Sequence, residues 1–144
     1  MYHLPPDERE RAFAECRRIC KSGGIAAFAY INRVGVYAGA CVDDKLRESY
    51  PSDTANERVL QESRDDINPD LFFYTMPEEI ESAAAAHGFK KIKNIGVDFF
   101  LTASVINSVD DEKFEKWKPL LDEMSAYESC TGMSNHALLI TRKI

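Results

Sequence analysis

Lys21-Ser22-Gly23-Gly24-Ile25-Ala26-Ala27-Phe28-Ala29-Tyr30-Ile31-Asn32-Arg33 decides the fold of this chain. Between a glycine pair and a polar pair runs an unbroken apolar stretch, Ile25 to Ile31, with no polar alternation. That is the pattern of a strand covered on both faces inside a sheet. Upstream, Pro5-Pro6-Asp7 with Glu8 and Glu10 marks a helix start, because proline is tolerated in the first turn and acidic side chains suit the positive end of the dipole. Ala12, Phe13, Cys16, Ile19 and Cys20 recur at three and four residues. They predict an amphipathic helix over 6–21, with Arg9, Arg17, Arg18 and Lys21 on its outer face or last turn and the glycine pair as a left-handed stop.

Downstream of the strand the pattern dissolves. Val34 to Val42 is apolar enough for a short helix, and Asp43 to Asp70 is polar, charged and weakly periodic. Residues 34–70 read as a flap or lid within a single domain spanning 1–144. Regularity returns at Thr75-Met76-Pro77-Glu78, a capping-box pattern that opens a helix through Ala86 and ends at Gly88. Phe89 to Leu101 reads as a strand region. Asp110-Asp111 starts a third helix with Phe114, Trp117, Leu120, Leu121 and Met124 on one stripe and Pro119 as a kink. A loop over 129–134 then leads to a last strand, Ala137 to Thr141.

A chain of 144 residues with 44% hydrophobic content is long enough to bury a sizeable core. Its net charge of −6 argues against a nucleic-acid or anionic-membrane surface. The dense basic cluster Lys90-Lys91-Ile92-Lys93 is short and reads as solvated charge at the start of a strand. Cys16, Cys20, Cys41 and Cys130 form no Cys-x-x-Cys pair and no zinc-type Cys/His spacing, so no metal is expected, and thiols on an apolar helix face fit a reducing, cytoplasmic setting. Neither a signal peptide nor an apolar run of bilayer-spanning length is evident.

The order helix, glycine pair, apolar strand, flap, capped helix, strand, helix, last strand resembles the C-terminal half of a class I S-adenosylmethionine-dependent methyltransferase. The resemblance rests on Tyr2-His3-Leu4 before an acidic helix, Arg17 through Gly24 before the strand, and Ile31-Asn32-Arg33 after it. It extends to Phe73 through Ile80, Ala86-His87-Gly88-Phe89, and Ser134-Asn135-His136. It implies an α/β half of a Rossmann-like fold, with about three helices on a small mixed sheet whose last strand runs antiparallel between the other two. In that family a glycine-rich loop and two carboxylates hold the donor, in parts that would precede Met1. The glycines of this chain offer no substitute for that loop.

By the same resemblance, Tyr2 and His3 sit beside the donor's methionine portion and the acceptor, and His3 is the candidate base, a histidine being suited to taking a proton near neutral pH. Asn32 and Arg33, at the carboxyl end of the strand, either face a ligand or form a polar turn. Tyr74 and His136 are candidate residues on the substrate side. Thr75 is accounted for as a helix cap and His87 as a C-terminal histidine on the helix dipole. Two functions follow. One is a methyltransferase-like protein with a small-molecule acceptor, incomplete and inactive alone, whose family cofactor is S-adenosylmethionine but which does not bind it unaided. The other is a non-catalytic binding or assembly module. In either case an open sheet edge implies a homodimer or a separate N-terminal half as neighbour.

Overall fold

The computed structural model describes residues 1–43, 48, 72–99, 101 and 103–144, so most of the predicted flap lies outside the described residues. The first part of the flap, 34–42, is helical. In chain order the elements are α1 (Pro6–Ile19), β1 (Ile25–Ile31), α2 (Arg33–Val42), α3 (Pro77–Ala86), β2 (Phe89–Gly96), α4 (Ala103–Asn107), α5 (Asp111–Ala126), α6 (Glu128–Thr131) and β3 (His136–Lys143). Six helices among the described residues replace the expected three. The added ones are α2, inside the predicted flap, and α4 and α6, which at five and four residues are too short to show a helical period.

The sheet has the order β1-β3-β2, with β3 antiparallel to both neighbours. The last strand therefore lies between the other two, as expected. No named strands pair in parallel, so the sheet is antiparallel rather than mixed. The only parallel pairing among the described residues is an isolated bridge between Asn32 and Thr75. A bulge between Lys91 and Lys93 shifts the β2 register, and Lys91 pairs with Glu81 and Glu128 at 3.0 Å each.

One expectation for β1 needs correction. It is the edge strand that the resemblance implies, but it is not covered on both faces: Phe28 and Tyr30 are buried, whereas Ala27 and Ala29 are exposed and Ile25 is 54% exposed. Alternation was hidden because the outward positions carry alanine, whose single methyl reads as apolar yet loses little when solvated. The buried face packs Phe28, Tyr30, Ala137 and Leu139 against Phe13 of α1 and Ile80 and Ala84 of α3. Within this core Tyr30 Oη donates to Asn94 Oδ1 at 2.9 Å, and burial pushes the phenol's pKa up. A buried hydroxyl without that partner would be costly.

Helix ends also differ from expectation. Helix α1 stops at Cys20 in extended backbone, and the left-handed residue is Gly23, in the turn that hydrogen-bonds to Lys143. Ile19 is 64% exposed rather than part of the packed stripe. Arg17, expected on the outer face or in the last turn, lies in the last turn of α1 and reaches the C-terminal end of α3. Its Nη1 donates to the main-chain oxygens of His87 at 3.3 Å, Gly88 at 3.0 Å and Ile144 at 3.1 Å, closing the C-terminus of α3. Gly88 has φ of 73°, and a β-carbon there would lie 1.9 Å from that guanidinium. We expect Arg17→Ala to lower stability by about 1.5–3 kcal/mol, the range for hydrogen bonds to charged groups, read as a shift in urea midpoint at constant slope.

The stop of β2 at Gly96 leaves Val97, Asp98, Phe99 and Leu101 outside the sheet, short of the predicted strand region. The stripe of α5 is only half-buried, with Leu120 51% exposed and Pro119 inside the helix. Asp110 caps α5 by accepting from the Lys113 amide at 2.8 Å. At α3 the cap is shifted one residue from expectation. Met76 is the N-cap, and the Glu79 carboxylate, not Glu78, accepts from the Met76 amide at 2.8 Å and from the Thr75 hydroxyl at 3.0 Å. No helix among the described residues is long and apolar enough to cross a membrane.

Candidate functional site

The carboxyl ends of β1 and β2 and the start of β3 meet at one edge of the sheet, since β3 runs opposite to both. Four side chains converge there from separate parts of the chain. The Tyr2 ring lies 4.6 Å from the His3 ring, 5.9 Å from Phe72 and 6.1 Å, edge-on, from His136. His3 and Phe72 are 5.1 Å apart, and the Phe73 amide donates to the Tyr2 carbonyl at 2.8 Å, which holds the two segments together. The predicted residues Tyr2, His3 and His136 thus come together around an aromatic patch.

His136 is held by a residue that sequence reasoning passed over. Its Nδ1 donates to Asp98 Oδ2 at 2.5 Å, and its main-chain amide donates to Asp98 Oδ1 at 2.8 Å. Asp98 is fixed by a hydrogen-bonded turn centred on Ser134, which is fully buried. Ser134 Oγ lies 2.9–3.1 Å from the amides of Val97, Asp98 and Phe99 as acceptor, and its single proton is shared between the His136 carbonyl at 2.6 Å and Asp98 Oδ1 at 2.8 Å. The turn carries Phe99 at φ of 46°, the one left-handed non-glycine among the described residues, with its ring buried. A bulky residue in that region stores strain and is held there only by its surroundings.

The electrostatics follow from this geometry. The hydrogen bond to Asp98 raises the His136 pKa above the ordinary imidazole value, against an opposing effect of partial burial. Burial pushes the Asp98 carboxyl up, but the His136 ring, its amide and Ser134 outweigh that and leave it below the usual carboxylate range. A group with a raised pKa stabilises the fold fully below its unfolded value, about 6.5 for histidine, and less as pH rises through the folded value. A depressed carboxyl stabilises above about 3.9 and loses this as pH falls through its folded value. Both contributions overlap between about pH 4 and 6.5. The melting-temperature gap between the parent chain and Asp98→Asn should therefore be widest near pH 5 and narrow above neutrality. A gap that grows from pH 5 to 8 would contradict the assignment.

Asn32 and Arg33 resolve toward structure. Asn32 is fully buried, and its Nδ2 donates to the carbonyls of Thr131 at 2.7 Å and Ser134 at 2.8 Å. Its own amide donates to the Asn135 carbonyl at 2.8 Å, so it ties the end of β1 to the entry of β3. The Asn32 Oδ1 has no hydrogen-bond partner among the described residues. Arg33 is 8% exposed and is paired with Glu79. Burial raises the Glu79 pKa, but donors from Met76, Arg33 and Thr75 outweigh this and hold the carboxyl below its ordinary value. Tyr74 lines a different cleft, of about 210 Å³, together with Arg9, Glu10, Thr75 and Glu79. Neither Tyr2 nor His136 contributes to it.

Sequence reasoning missed Asp98, Ser134 and Glu79 as working partners. The sequence pattern puts Asp98 inside the strand region Phe89 to Leu101, whereas the strand ends two residues before it. The signal that could have found it is a carboxylate directly after a strand, in a chain where a serine and a histidine two residues apart open the neighbouring strand. His87 matches expectation: it is the C-cap of α3, and its Nδ1 lies 2.9 Å from the Ala83 carbonyl.

Where α2 passes the same edge, a β-carbon on Gly35 would lie 2.0 Å from the Ser134 carbonyl oxygen, which Asn32 also uses. Gly35→Ala should therefore cost about 1–3 kcal/mol of stability through overpacking and disturb the His136 resonance, a change visible by NMR.

Among the described residues, no group of three or more His, Cys, Asp and Glu side chains is gathered as for a metal ion. No protein-family model matches the chain, and no curated protein matches it in sequence.

Proposed function

We propose that this chain is the acceptor-side half of a class I methyltransferase fold, built to hold a small molecule at the edge formed by Tyr2, His3 and His136. The observation that carries the reading is the β1-β3-β2 order with the last strand antiparallel in the middle. The resemblance implies that arrangement, and it brings His136 to the same edge as Tyr2 and His3, which are far from it in sequence. The residues present do not fit a donor cradle: these 144 residues contain no Gly-x-Gly-x-x-Gly loop, and Tyr2 and His3 supply aromatic contact without a carboxylate pair for a ribose.

The 144-residue chain should accordingly bind S-adenosylmethionine with a dissociation constant no tighter than about 1 mM, near −4 kcal/mol, by calorimetry. Adding a donor-binding first half of such an enzyme as a separate polypeptide should bring donor binding into the micromolar range together with complex formation. Low-micromolar binding by the chain alone would mean that it builds a donor site of its own. Failure of the two halves to associate would remove the support for the reading.

A second reading, an assembly module, is favoured by the free edge of β1. That edge is met near its carboxyl end, where the Thr75 amide donates to the Ile31 carbonyl at 3.0 Å, the Arg33 amide donates to Thr75 at 3.1 Å and the Met1 nitrogen donates to the Ala29 carbonyl at 2.9 Å. Alternation turns the main-chain groups of Ile25 and Ala27 the same way, and no hydrogen bond from a described residue reaches them there. Strand pairing across a two-fold axis would satisfy them. On this reading the chain sediments as a dimer at micromolar concentration, and Ala27→Lys shifts it to a 16.3 kDa monomer. A parent chain that is already monomeric would exclude the module.

A further inference from the structure

We propose that His136 is the proton acceptor of this edge, positioned by Asp98, and that the molecule it serves is a phenol seated against the rings of Tyr2, His3 and Phe72. The inference rests on the acceptor-side reading for where the molecule sits.

A carboxylate with both oxygens engaged can only accept, so the 2.5 Å contact places the proton of neutral His136 on Nδ1. The lone pair is then on Nε2, which has no hydrogen-bond partner among the described residues, and the side chain is 47% exposed. A half-exposed imidazole with one nitrogen pinned and the other open is arranged to receive a proton from outside. Asp98, fixed through Ser134 and the His136 amide, keeps the ring oriented and stabilises the imidazolium that forms. Among the described residues, the ionisable side chains in contact with His136 are Asp98 and Tyr2, and His3 packs on Tyr2.

The class of molecule follows from acidity and shape. A proton passes readily to imidazole only from a group of neighbouring acidity, which a phenol has and an alkanol lacks. The rings of Tyr2, His3 and Phe72, at 4.6–5.9 Å from one another, offer edges and faces to an aromatic ring. The step balances simply: the O–H bond of the phenol breaks, its proton goes to Nε2, and the electron pair stays on the phenolate oxygen. Phenolate and imidazolium then lie side by side, with Asp98 behind the imidazolium.

The probe is 4-nitrophenol, whose phenolate absorbs visible light, titrated from slightly acidic to slightly alkaline pH with the full 144-residue chain at saturating protein, so that the range in which His136 is still neutral is covered. The phenolate fraction should rise about tenfold over buffer, a shift of about one unit in apparent ionisation. The His136 ring resonances should move with it. His136→Gln should abolish the rise while leaving the circular dichroism unchanged. Asp98→Asn keeps an acceptor for Nδ1 and removes only the charge, so the probe's half-ionisation pH should return toward that of free 4-nitrophenol. A purely structural Asp98 would not move that profile. No rise with the parent chain, or an equal rise with His136→Gln, overturns the proposal. No methyl donor is present, so failure here leaves the donor-binding test untouched. A positive result combined with halves that do not associate would keep the proton acceptor and discard the methyltransferase lineage.

Discussion

Phe13→Ala is expected to remove about 3–5 kcal/mol of stability, the range for deleting a buried aromatic side chain, and so a large share of the 5–15 kcal/mol that holds an ordinary domain folded. Phe13 is 1% exposed. Its ring meets Phe28 at 4.7 Å in an edge arrangement and stacks on His87 at 5.5 Å, so it joins α1, β1 and the end of α3 at one point. Removing it opens a cavity bounded by three elements that cannot all move inward, because Arg17 pins α1 to the C-terminus of α3. The control is Ile19→Ala on the same helix. Ile19 is 64% exposed, and its loss should fall within about 0.5 kcal/mol. Urea titration of the two variants decides the matter. Equal losses would mean that α1 packs through its whole apolar stripe.

That contrast also shows what was legible in the sequence. The three and four spacing of Ala12, Phe13, Cys16 and Ile19 identifies a helix and its inward face, because periodicity is a local property. Which of those positions lie deepest depends on what the rest of the fold covers, and Ile19 is left 64% exposed. The β1 run was legible as a strand for the same local reason. Its place at the edge followed from the family resemblance, but its alternating burial was masked by Ala27 and Ala29. The short helices α4 and α6 were not legible because a single turn has no period to detect. The candidate site divides along the same line. Tyr2, His3 and His136 were found by resemblance to sequence patterns, whereas Asp98 and Ser134 act through contacts across 36 and 38 positions that no local window contains. Asn32 and Arg33 had two readings, a ligand edge or a polar turn. Their burial, and the bonds from Asn32 to Thr131 and Ser134 and from Arg33 to Glu79, favour a structural role.

Ser134→Ala tests whether stability and the candidate chemistry share one hinge. The serine is fully buried, and the oxygen removed is the acceptor for the amides of Asp98 and Phe99 at 3.1 Å each. The Val97 amide keeps a second partner in the His136 carbonyl at 3.0 Å. Two amides lose their acceptor, and each buried donor left without one costs about 1–3 kcal/mol. Against this, Phe99 would be free to leave its left-handed conformation, relieving strain of the order of 1–3 kcal/mol. Three positive terms of similar size against one negative term leave a net loss once the Asp98 bond is included, and we expect about 2–4 kcal/mol in urea unfolding. The variant should also alter His136. Without Ser134 holding Asp98 Oδ1, the carboxylate samples other positions, its hydrogen bond to Nδ1 weakens, and the imidazole pKa falls toward its ordinary value of about 6.5. Proton NMR of the His136 ring, read against His3 and His87 in the same titration, measures this directly. A loss of stability with an unchanged His136 titration would show that Asp98 is held without the serine. Unchanged stability together with an unchanged titration would mean that the turn at 97–99 does not depend on Ser134, and the strained Phe99 would then need a different cause.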